Sequence, residues 1–158
     1  MNFMANAPTS TPSTPTTDQI VTNDGFFPHI SLDHVRETMR LDGTVTAARL
    51  RDAVVAAVVY VNRELLQWKL ARQAMGVVNL ENVPPLIDGV SVQLVHYRAA
   101  VYRHTKADLT ERYRDVDTTK SGDDHADELE TTIDNDRRAM RWAISDFLGA
   151  SRSTIELI

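Results

Sequence analysis

The longest uninterrupted helical pattern in this chain lies in residues 46–75, TAARLRDAVVAAVVYVNRELLQWKLARQAM. Apolar side chains recur there at spacings of three and four residues, which places them along one face of an α-helix. Further valines and a leucine widen this face, so we expect the helix to be covered on more than one side. Because valine is a weak helix former, burial against other elements must hold the segment helical. The residues of the central face are Leu50, Val54, Ala57, Val61, Leu65 and Trp68.

Three more segments carry the signals of helices that pack on this one. Ser31 has the position of an N-cap for a short helix, and either Thr44 or Thr46 caps the long helix. A third helix fits residues 90–116, and a fourth with an acidic start fits residues 124–148. These patterns predict an all-α fold, an antiparallel bundle of about four helices.

The connection between the second and third helices contains Pro84 and Pro85, which exclude a continuous helix. We expect an extended segment across the end of the bundle, followed by a helix that Asp88 or Ser91 caps. The apolar residues expected to hold this segment in place are Val77, Val78, Leu80, Leu86 and Ile87.

The two ends of the chain differ in composition from the middle. Residues 1–20 are rich in proline, threonine and serine, which predicts a disordered N-terminal arm. Residues 21–150 form the helical bundle domain, and residues 151–158 form an extended C-terminal docking tail. In this tail polar and apolar side chains alternate as in a half-buried strand. It could pack along its own bundle, but we favour docking on a partner, through Ser153, Thr154, Ile155, Glu156, Leu157 and Ile158.

The sequence supports a specific prediction for each of two pairs of residues within the bundle domain. Phe26 and Phe27 stand among turn residues, so these large side chains need a destination: the chain's own core or, as the less favoured alternative, an anchor between subunits. Lys106 and Asp136 interrupt the apolar faces of the third and fourth helices at about the same level. These two, or Arg137 with an acidic neighbour, are expected to form an ion pair within the bundle, unless both reach out to water.

Composition and motifs exclude several classes of function. The chain has no cysteine and carries a formal net charge of -5, so thiol chemistry is absent and no net attraction to nucleic acid or anionic membranes exists. Phosphate loops, metalloprotease motifs and nucleophile elbows are missing, and the five histidines are scattered. We therefore predict no catalytic residue, no metal site, no cofactor and no membrane partner.

Basic residues nevertheless cluster on the third and fourth helices. A salt-bridged helix surface is the favoured interpretation, and direct binding of nucleic acid is the alternative. Passing contact with DNA phosphates would need only such a face. The cluster comprises Arg98, Arg103, His104, Lys106, Arg112, Arg114, Arg137, Arg138 and Arg141.

Several short motifs go further than these patterns. NDGFFP, MRLDGTVT, YRDVDTT, RWAISDF and RSTIELI, taken together, resemble the head completion (head stabilization) proteins of contractile-tailed phages, the GPL family. The resemblance runs from about residue 21 to residue 158. The N-terminal arm carries no motif of the family.

The resemblance implies a non-enzymatic virion protein of the head-tail neck, made in the cytoplasm of the host bacterium. Such a protein binds the portal vertex after DNA packaging, stabilises the filled head and provides the adaptor ring for the tail. The implied partners are the portal protein, neighbouring copies in a ring that is expected to be a dodecamer, and a tail completion or terminator protein. Passing contact with packaged DNA fits the same location. The alternative from another class is a DNA-binding regulatory protein of phage or prophage origin.

Overall fold

The computed structural model describes residues 19–114 and 123–151, with side chains for residues 19–112 and 130–151. The fold is mostly helical, as predicted, but two short antiparallel hairpins mean that it is not strictly all-α. The strands within these ranges are β1 (Ile20–Val21), β2 (Ile30–Ser31), β3 (Leu86–Ile87) and β4 (Val90–Ser91). The helices are α1 (Leu32–Thr38), α2 (Ala47–Glu64), α3 (Leu66–Ala74), α4 (Val92–Arg114) and α5 (Asp123–Leu148).

The long helical segment is two helices rather than one. Leu65 separates α2 from α3 with φ -95° and ψ 3°, although Lys69 N still donates a hydrogen bond of 2.9 Å to Leu65 O. Neither proline nor glycine stands at this point, so the residue pattern carried no signal for the break. Only Leu65 lies between the end of α2 at Glu64 and the start of α3 at Leu66.

The apolar width of this segment does not mean that it is covered on several sides. One face is buried, through Leu50, Ala53, Val54, Ala57, Val58, Val61 and Leu65. On the other side Val55, Val59, Leu66 and Leu70 are between 43% and 63% exposed. The expectation of cover on more than one side was therefore wrong for the described residues, and an apolar stripe faces outward.

Capping residues fix the beginnings of the first two helices as the sequence indicated. The Ser31 hydroxyl accepts a hydrogen bond from His34 N, and Thr46, rather than Thr44, accepts one from Arg49 N. Arg36 then joins the loop between these helices to α1, because its guanidinium donates to Asp42 O and Val45 O at 3.0 Å each. The turn between α1 and α2 is thereby held closed.

The extended connection contains a tight hairpin that the prediction missed. Asp88 and Gly89 have φ values of 50° and 73°, and they link β3 to β4 with Ile87 opposite Val90. Two successive positive φ values are typical of a two-residue hairpin turn, for which Asp-Gly is a strong signal. Helix α4 consequently begins at Val92 rather than at residue 90, and Ser91 Oγ, although buried, has no hydrogen-bond partner among the described residues.

The residues that hold this connection also differ from those expected. Leu80 is fully buried, and its amide donates a hydrogen bond of 2.9 Å to Phe26 O. Val78, Leu86 and Ile87, by contrast, are 80%, 53% and 69% exposed. The contrast follows from the backbone: the short 3₁₀ helix Leu80–Asn82 turns Leu80 inward, whereas the hairpin carries its apolar side chains outward.

The core lies where α4 meets α2 and α5, and the N-terminal hairpin is packed onto it. Ile20 pairs with Ser31 and Val21 with Ile30, so ordered structure begins inside the segment 1–20 that was expected to be a disordered arm. Residues 1–18 lie outside the described part. The largest fully buried side chains include Tyr97, Val101, Leu50 and Phe147.

Candidate interaction surfaces

The C-terminal end of α5 is fixed to the body of the protein. Gly149, with φ 67°, ends the helix, and Ala150 N donates a hydrogen bond of 2.9 Å to Ser145 O. Phe147 is 2% exposed, and its ring centroid lies 4.6 Å from that of Trp68 on α3. The end of α5 is therefore held against the body as far as Ala150.

The predicted portal-binding residues lie beyond that point, outside the described residues. They are Ser153, Thr154, Ile155, Glu156, Leu157 and Ile158. Their alternating pattern remains a sequence-based expectation. The described part ends at residue 151, four residues after Phe147, whose ring contacts Trp68 on α3.

Phe26 and Phe27 occupy the chain's own core. Each side chain is only 2% exposed; Phe27 stacks on Tyr97 at 4.7 Å, and Phe26 meets Trp68 edge-on at 6.2 Å. Asp24 supports this turn by accepting hydrogen bonds from both phenylalanine amides, at 3.0 and 3.1 Å, and an ion pair of 2.7 Å from Lys69. Side chains this deeply buried offer no surface to a neighbouring subunit, so they do not provide the inter-subunit anchor.

A closed ring of hydrogen bonds lies next to these aromatic side chains. Asn23 Nδ2 donates to Tyr97 Oη at 2.8 Å, Tyr97 Oη donates to Asn62 Oδ1 at 2.7 Å, and Asn62 Nδ2 donates back to Asn23 Oδ1 at 2.8 Å. We call these three residues the amide-phenol ring. Burial raises the pKa of Tyr97 well above its usual value, so the phenol stays neutral.

A buried carboxylate lies farther along the interface between α4 and α5. Asp136 is 3% exposed and accepts a hydrogen bond of 2.7 Å from Arg103, while Lys106 Nζ lies 4.0 Å from its second oxygen. We call these three residues the carboxylate cluster. The structure thus brings Lys106 and Asp136 together across the two helices, but the short contact belongs to Arg103, one helix turn away.

Other basic residues on this pair of helices also have acidic partners. Arg137 donates to Glu111 at 2.6 Å, and Arg112 forms an ion pair of 3.1 Å with Asp108 on its own helix. Arg138 donates to Asn135 and lies over the Trp142 ring. Much of the predicted basic face is therefore a salt-bridged helix surface.

Three of the histidines serve internal contacts. His34 Nδ1 lies 2.6 Å from the Tyr102 hydroxyl, and His29 Nδ1 accepts a hydrogen bond from Asn23 N. Burial lowers the pKa of His104, which packs on Tyr60 at 4.8 Å. Within residues 19–114 and 123–151, no three histidine or acidic residues gather closely enough to hold a metal ion.

A cleft of about 400 Å³ opens beside His104, between α2, α4 and α5. The ion pair of Glu111 with Arg137 belongs to its walls, so these charges already satisfy each other. No helix in the described part of the chain has the length and apolar character required to cross a membrane.

The comparisons with known proteins decide the family. Residues 21–158 match the family model described as phage head completion protein (GPL). The chain belongs to this family. It is 39% identical over 142 residues to the head completion/stabilization protein of Escherichia phage P2. The aligned residues make up 89% of this chain and 84% of that protein. No solved structure matches the chain.

Membership in the GPL family confirms the resemblance drawn from the motifs and identifies a structural protein of the phage head. One of those motifs, NDGFFP, has a structural explanation here. Its Asn23, Asp24 and two phenylalanines supply the amide-phenol ring, the capped turn and the stacked aromatic contacts.

Sequence reasoning missed the amide-phenol ring and the role of Arg103. The ring joins residues 35 to 74 positions apart, and no local pattern connects such distant positions. Arg103 was noticed only as part of a basic cluster. Its position three residues before Lys106, on the same helix face, was the available signal that either cation could reach Asp136.

Proposed function

We propose that this protein binds the portal vertex of the phage head after the genome has been packaged. In this role it stabilises the filled head and forms the adaptor ring on which a tail completion or terminator protein assembles. The work is structural and requires no catalysis, metal or cofactor. The protein would be made in the host cytoplasm and incorporated into the virion at the neck, where DNA passes through the ring.

The observation that carries the proposal is the match over residues 21–158 to head completion proteins, including the phage P2 protein at 39% identity. A second support comes from the architecture. The helical body is closed at Phe147 against Trp68, and residues 152–158 continue from there with an alternating sequence suited to adding to a partner's sheet edge or groove. Body and tail can then carry out separate tasks.

The assembly mechanism follows from symmetry and effective concentration. Copies with little affinity for one another dock their tails in equivalent sites between portal subunits. Each docked copy then meets its neighbour at a high effective concentration, so a ring closes that free copies do not form. The rotational symmetry of the portal sets the number of copies, expected to be twelve.

Cosedimentation with purified portal tests the tail. Deleting residues 151–158 should leave the body folded and abolish cosedimentation. Within the full chain, replacing Ile155 and Leu157 with aspartate should have the same effect, because these side chains form the apolar series of the predicted strand. The control replaces Glu37 and Thr38, which are exposed on α1, with alanine and should retain binding. Undiminished cosedimentation of the truncated protein would overturn the proposal.

The DNA-binding alternative has less support, since Arg103, Arg112 and Arg137 are already paired with carboxylates. A titration of the free protein with duplex DNA at moderate salt distinguishes the two functions, because a regulator binds tightly there and an adaptor does not. Tight binding by the free protein would favour the regulator.

A further inference from the structure

The cleft between α2, α4 and α5 carries a positive charge that no described residue neutralises. Its walls contain two carboxylates, and each already has a cation. Glu111 accepts a hydrogen bond of 2.6 Å from Arg137, and Asp108 forms an ion pair of 3.1 Å with a second arginine. Arg141 also lines the cleft, but it is exposed and forms no hydrogen bond or ion pair with another described residue. The cleft therefore offers one uncompensated guanidinium to an acidic partner.

The remaining walls of the cleft are apolar or aromatic. Tyr60, Ala107 and Met140 line it beside the charged side chains. Its volume of about 400 Å³ lies within the roughly 300–1,000 Å³ that is usual for ligand pockets. The cleft thus suits a short segment of chain in which apolar side chains stand next to one acidic side chain.

A row of side chains on α5 connects this cleft with the end of the helix. The row, at spacings of four, three and four residues, consists of Arg137, Arg141, Ile144 and Leu148. Residues with these spacings lie on one side of a helix. Ile144 is partly buried against the core, whereas Leu148 is 44% exposed. The row therefore runs from two cations at the cleft to two apolar side chains where α5 ends.

Residues 152–158 are long enough to follow this row back to the cleft. Ala150 N donates a hydrogen bond to Ser145 O, so the chain is still beside the last turn of α5 at that point. Arg141 lies seven residues before the end of α5, about 10 Å along the axis at a rise of 1.5 Å per residue. An extended chain of five residues spans roughly 17 Å. Glu156 can therefore reach the guanidinium of Arg141.

The sequence of this segment complements the cleft. Residues 153–158 contain one charged residue, Glu156, which stands between Ile155 and Leu157. A carboxylate that pairs with arginine gains charge-assisted hydrogen bonds, and apolar side chains gain free energy when they leave water. Because the segment belongs to the same chain, its effective concentration at the cleft is high. A weak contact is therefore enough to keep the segment there.

We infer that the cleft of the free protein binds residues 153–158 of the same chain, with Glu156 paired to Arg141 and the neighbouring apolar side chains against its walls. The residues expected to bind the portal are thereby covered until a portal site competes for them. This regulation of the tail rests on the proposed function, whereas the contact between segment and cleft does not. A single segment then has two alternative binding sites, one on its own body and one on the portal.

Thiol labelling tests the contact directly, because the chain has no cysteine of its own. Leu157→Cys places one thiol in the segment, and Thr38→Cys on α1 is the reference at an exposed position. Each full-length variant is reacted with a maleimide at low protein concentration, and its rate is divided by that of the same variant in denaturant. If about nine molecules in ten hold the segment in the cleft, Leu157→Cys should react about ten times more slowly than Thr38→Cys.

Charge reversal in the Leu157→Cys chain identifies the cleft as the site. Arg141→Glu should restore fast labelling, and the further change Glu156→Arg should slow it again. Glu156→Gln, which leaves the body untouched, should also restore fast labelling. The matched control is Arg138→Glu, since Arg138 is exposed on the same helix and lies over the Trp142 ring. This control should leave labelling slow.

Portal binding tests the regulation of the tail. In the chain without added cysteine, Arg141→Glu should bind purified portal more tightly, by up to about tenfold, because the segment no longer has to leave the cleft first. Arg138→Glu should bind the portal as the wild-type chain does. Unfolding curves of each variant verify that the body is unchanged.

Three outcomes overturn the inference. Labelling of Leu157→Cys as fast as that of Thr38→Cys would show that the segment does not bind the cleft, and would leave the proposed function standing. Slow labelling that Arg141→Glu does not change would place the segment elsewhere on the body. Protection that increases with protein concentration would show binding to the cleft of another copy. Slow labelling that Arg141→Glu reverses, without portal binding by the wild-type chain, would support the contact and refute the proposed function.

Discussion

The N-terminal half of α4 packs through neutral groups, whereas its C-terminal half packs through charges. Around Tyr97 the contacts are a stacked phenylalanine, two amides and a phenol, and every polar side-chain group of the ring has a partner. Around the buried carboxylate of Asp136 lie two cations, Arg103 and Lys106, and Asp136 Oδ2 has no hydrogen-bond partner among the described residues. One helix thus uses two kinds of polar contact, a neutral hydrogen-bonded ring and a charged cluster, which should respond differently to substitution.

The difference between the two halves of α4 indicates which kind of substitution each half tolerates. A neutral ring of hydrogen bonds depends on the shape of each member, because losing one leaves partly buried amides unsatisfied. A charged cluster with half-exposed cations depends on charge balance, because either cation can shift toward water if its partner is lost. The first half should therefore respond to small changes in side-chain shape, and the second to removal of a charge.

The largest effect should come from Phe27→Ala in the neutral half. This change removes a side chain that is 2% exposed and stacked on Tyr97, and such a cavity costs about 3–5 kcal/mol of unfolding free energy. Denaturant unfolding measures the loss. The control is Val59→Ala, which should stay within about 0.5 kcal/mol of wild type because Val59 is 63% exposed. A loss for Phe27→Ala as small as that of the control would contradict the packing described.

The next effect should come from Arg103→Met in the charged half. The substitution leaves the Asp136 carboxylate buried with only Lys106 nearby, at 4.0 Å, and should lower the unfolding free energy by about 2–3 kcal/mol. The double variant Arg103→Met with Asp136→Leu should recover most of this loss, since no buried charge remains. If the two single losses simply add in the double variant, the two residues are not coupled.

A smaller effect is expected for Tyr97→Phe, which keeps the aromatic stack and deletes one hydroxyl. Asn23 and Asn62 then lose a shared partner, at about 1–2 kcal/mol. The same variant should change the alkaline limb of stability. Because burial raises the pKa of Tyr97 above 10.0, the unfolded chain ionises first, and wild-type stability falls as pH rises beyond 10. The fall should be shallower in Tyr97→Phe; equal slopes would show that the ring does not exclude the phenolate.

The smallest effect belongs to His104→Gln. Burial lowers the pKa of His104 below 6.5, so in the unfolded chain this histidine takes up its proton first as the pH falls. Stability from this group is therefore present above pH 6.5 and is lost as the pH falls below it. Unfolding curves at a series of pH values should show a weaker acid dependence in the variant, and an unchanged dependence would contradict the assignment.

Local signals predicted the parts of this fold that local chemistry determines. The sequence allowed prediction of the N-caps at Ser31 and Thr46 and of the end of α5 before Gly149. Each of these features depends on interactions between residues a few positions apart. The hairpin at Asp88 and Gly89 also had a local signal, but its strands of two residues each were too short to show alternation.

The surfaces were harder to predict because they depend on which helix face meets which neighbour. Counting along the α4–α5 pair placed Asp136 beside Lys106, yet the side chain that reaches it best is Arg103. The apolar width of residues 46–75 likewise predicted burial, although Val59 and Leu70 face outward. Sequence specifies that an apolar face exists, and only the packing of the other elements determines whether the chain covers it.

The contact between Phe147 and Trp68 has a mechanical consequence. If residues 152–158 are held by a partner, tension applied to them enters the body four residues after Phe147. The force then passes through Trp68 to Phe26, and so into α3 and the N-terminal turn, rather than peeling α5 away from α4 from its free end. A tether fixed in this way is connected to three separate segments of the chain, namely α5, α3 and the N-terminal turn.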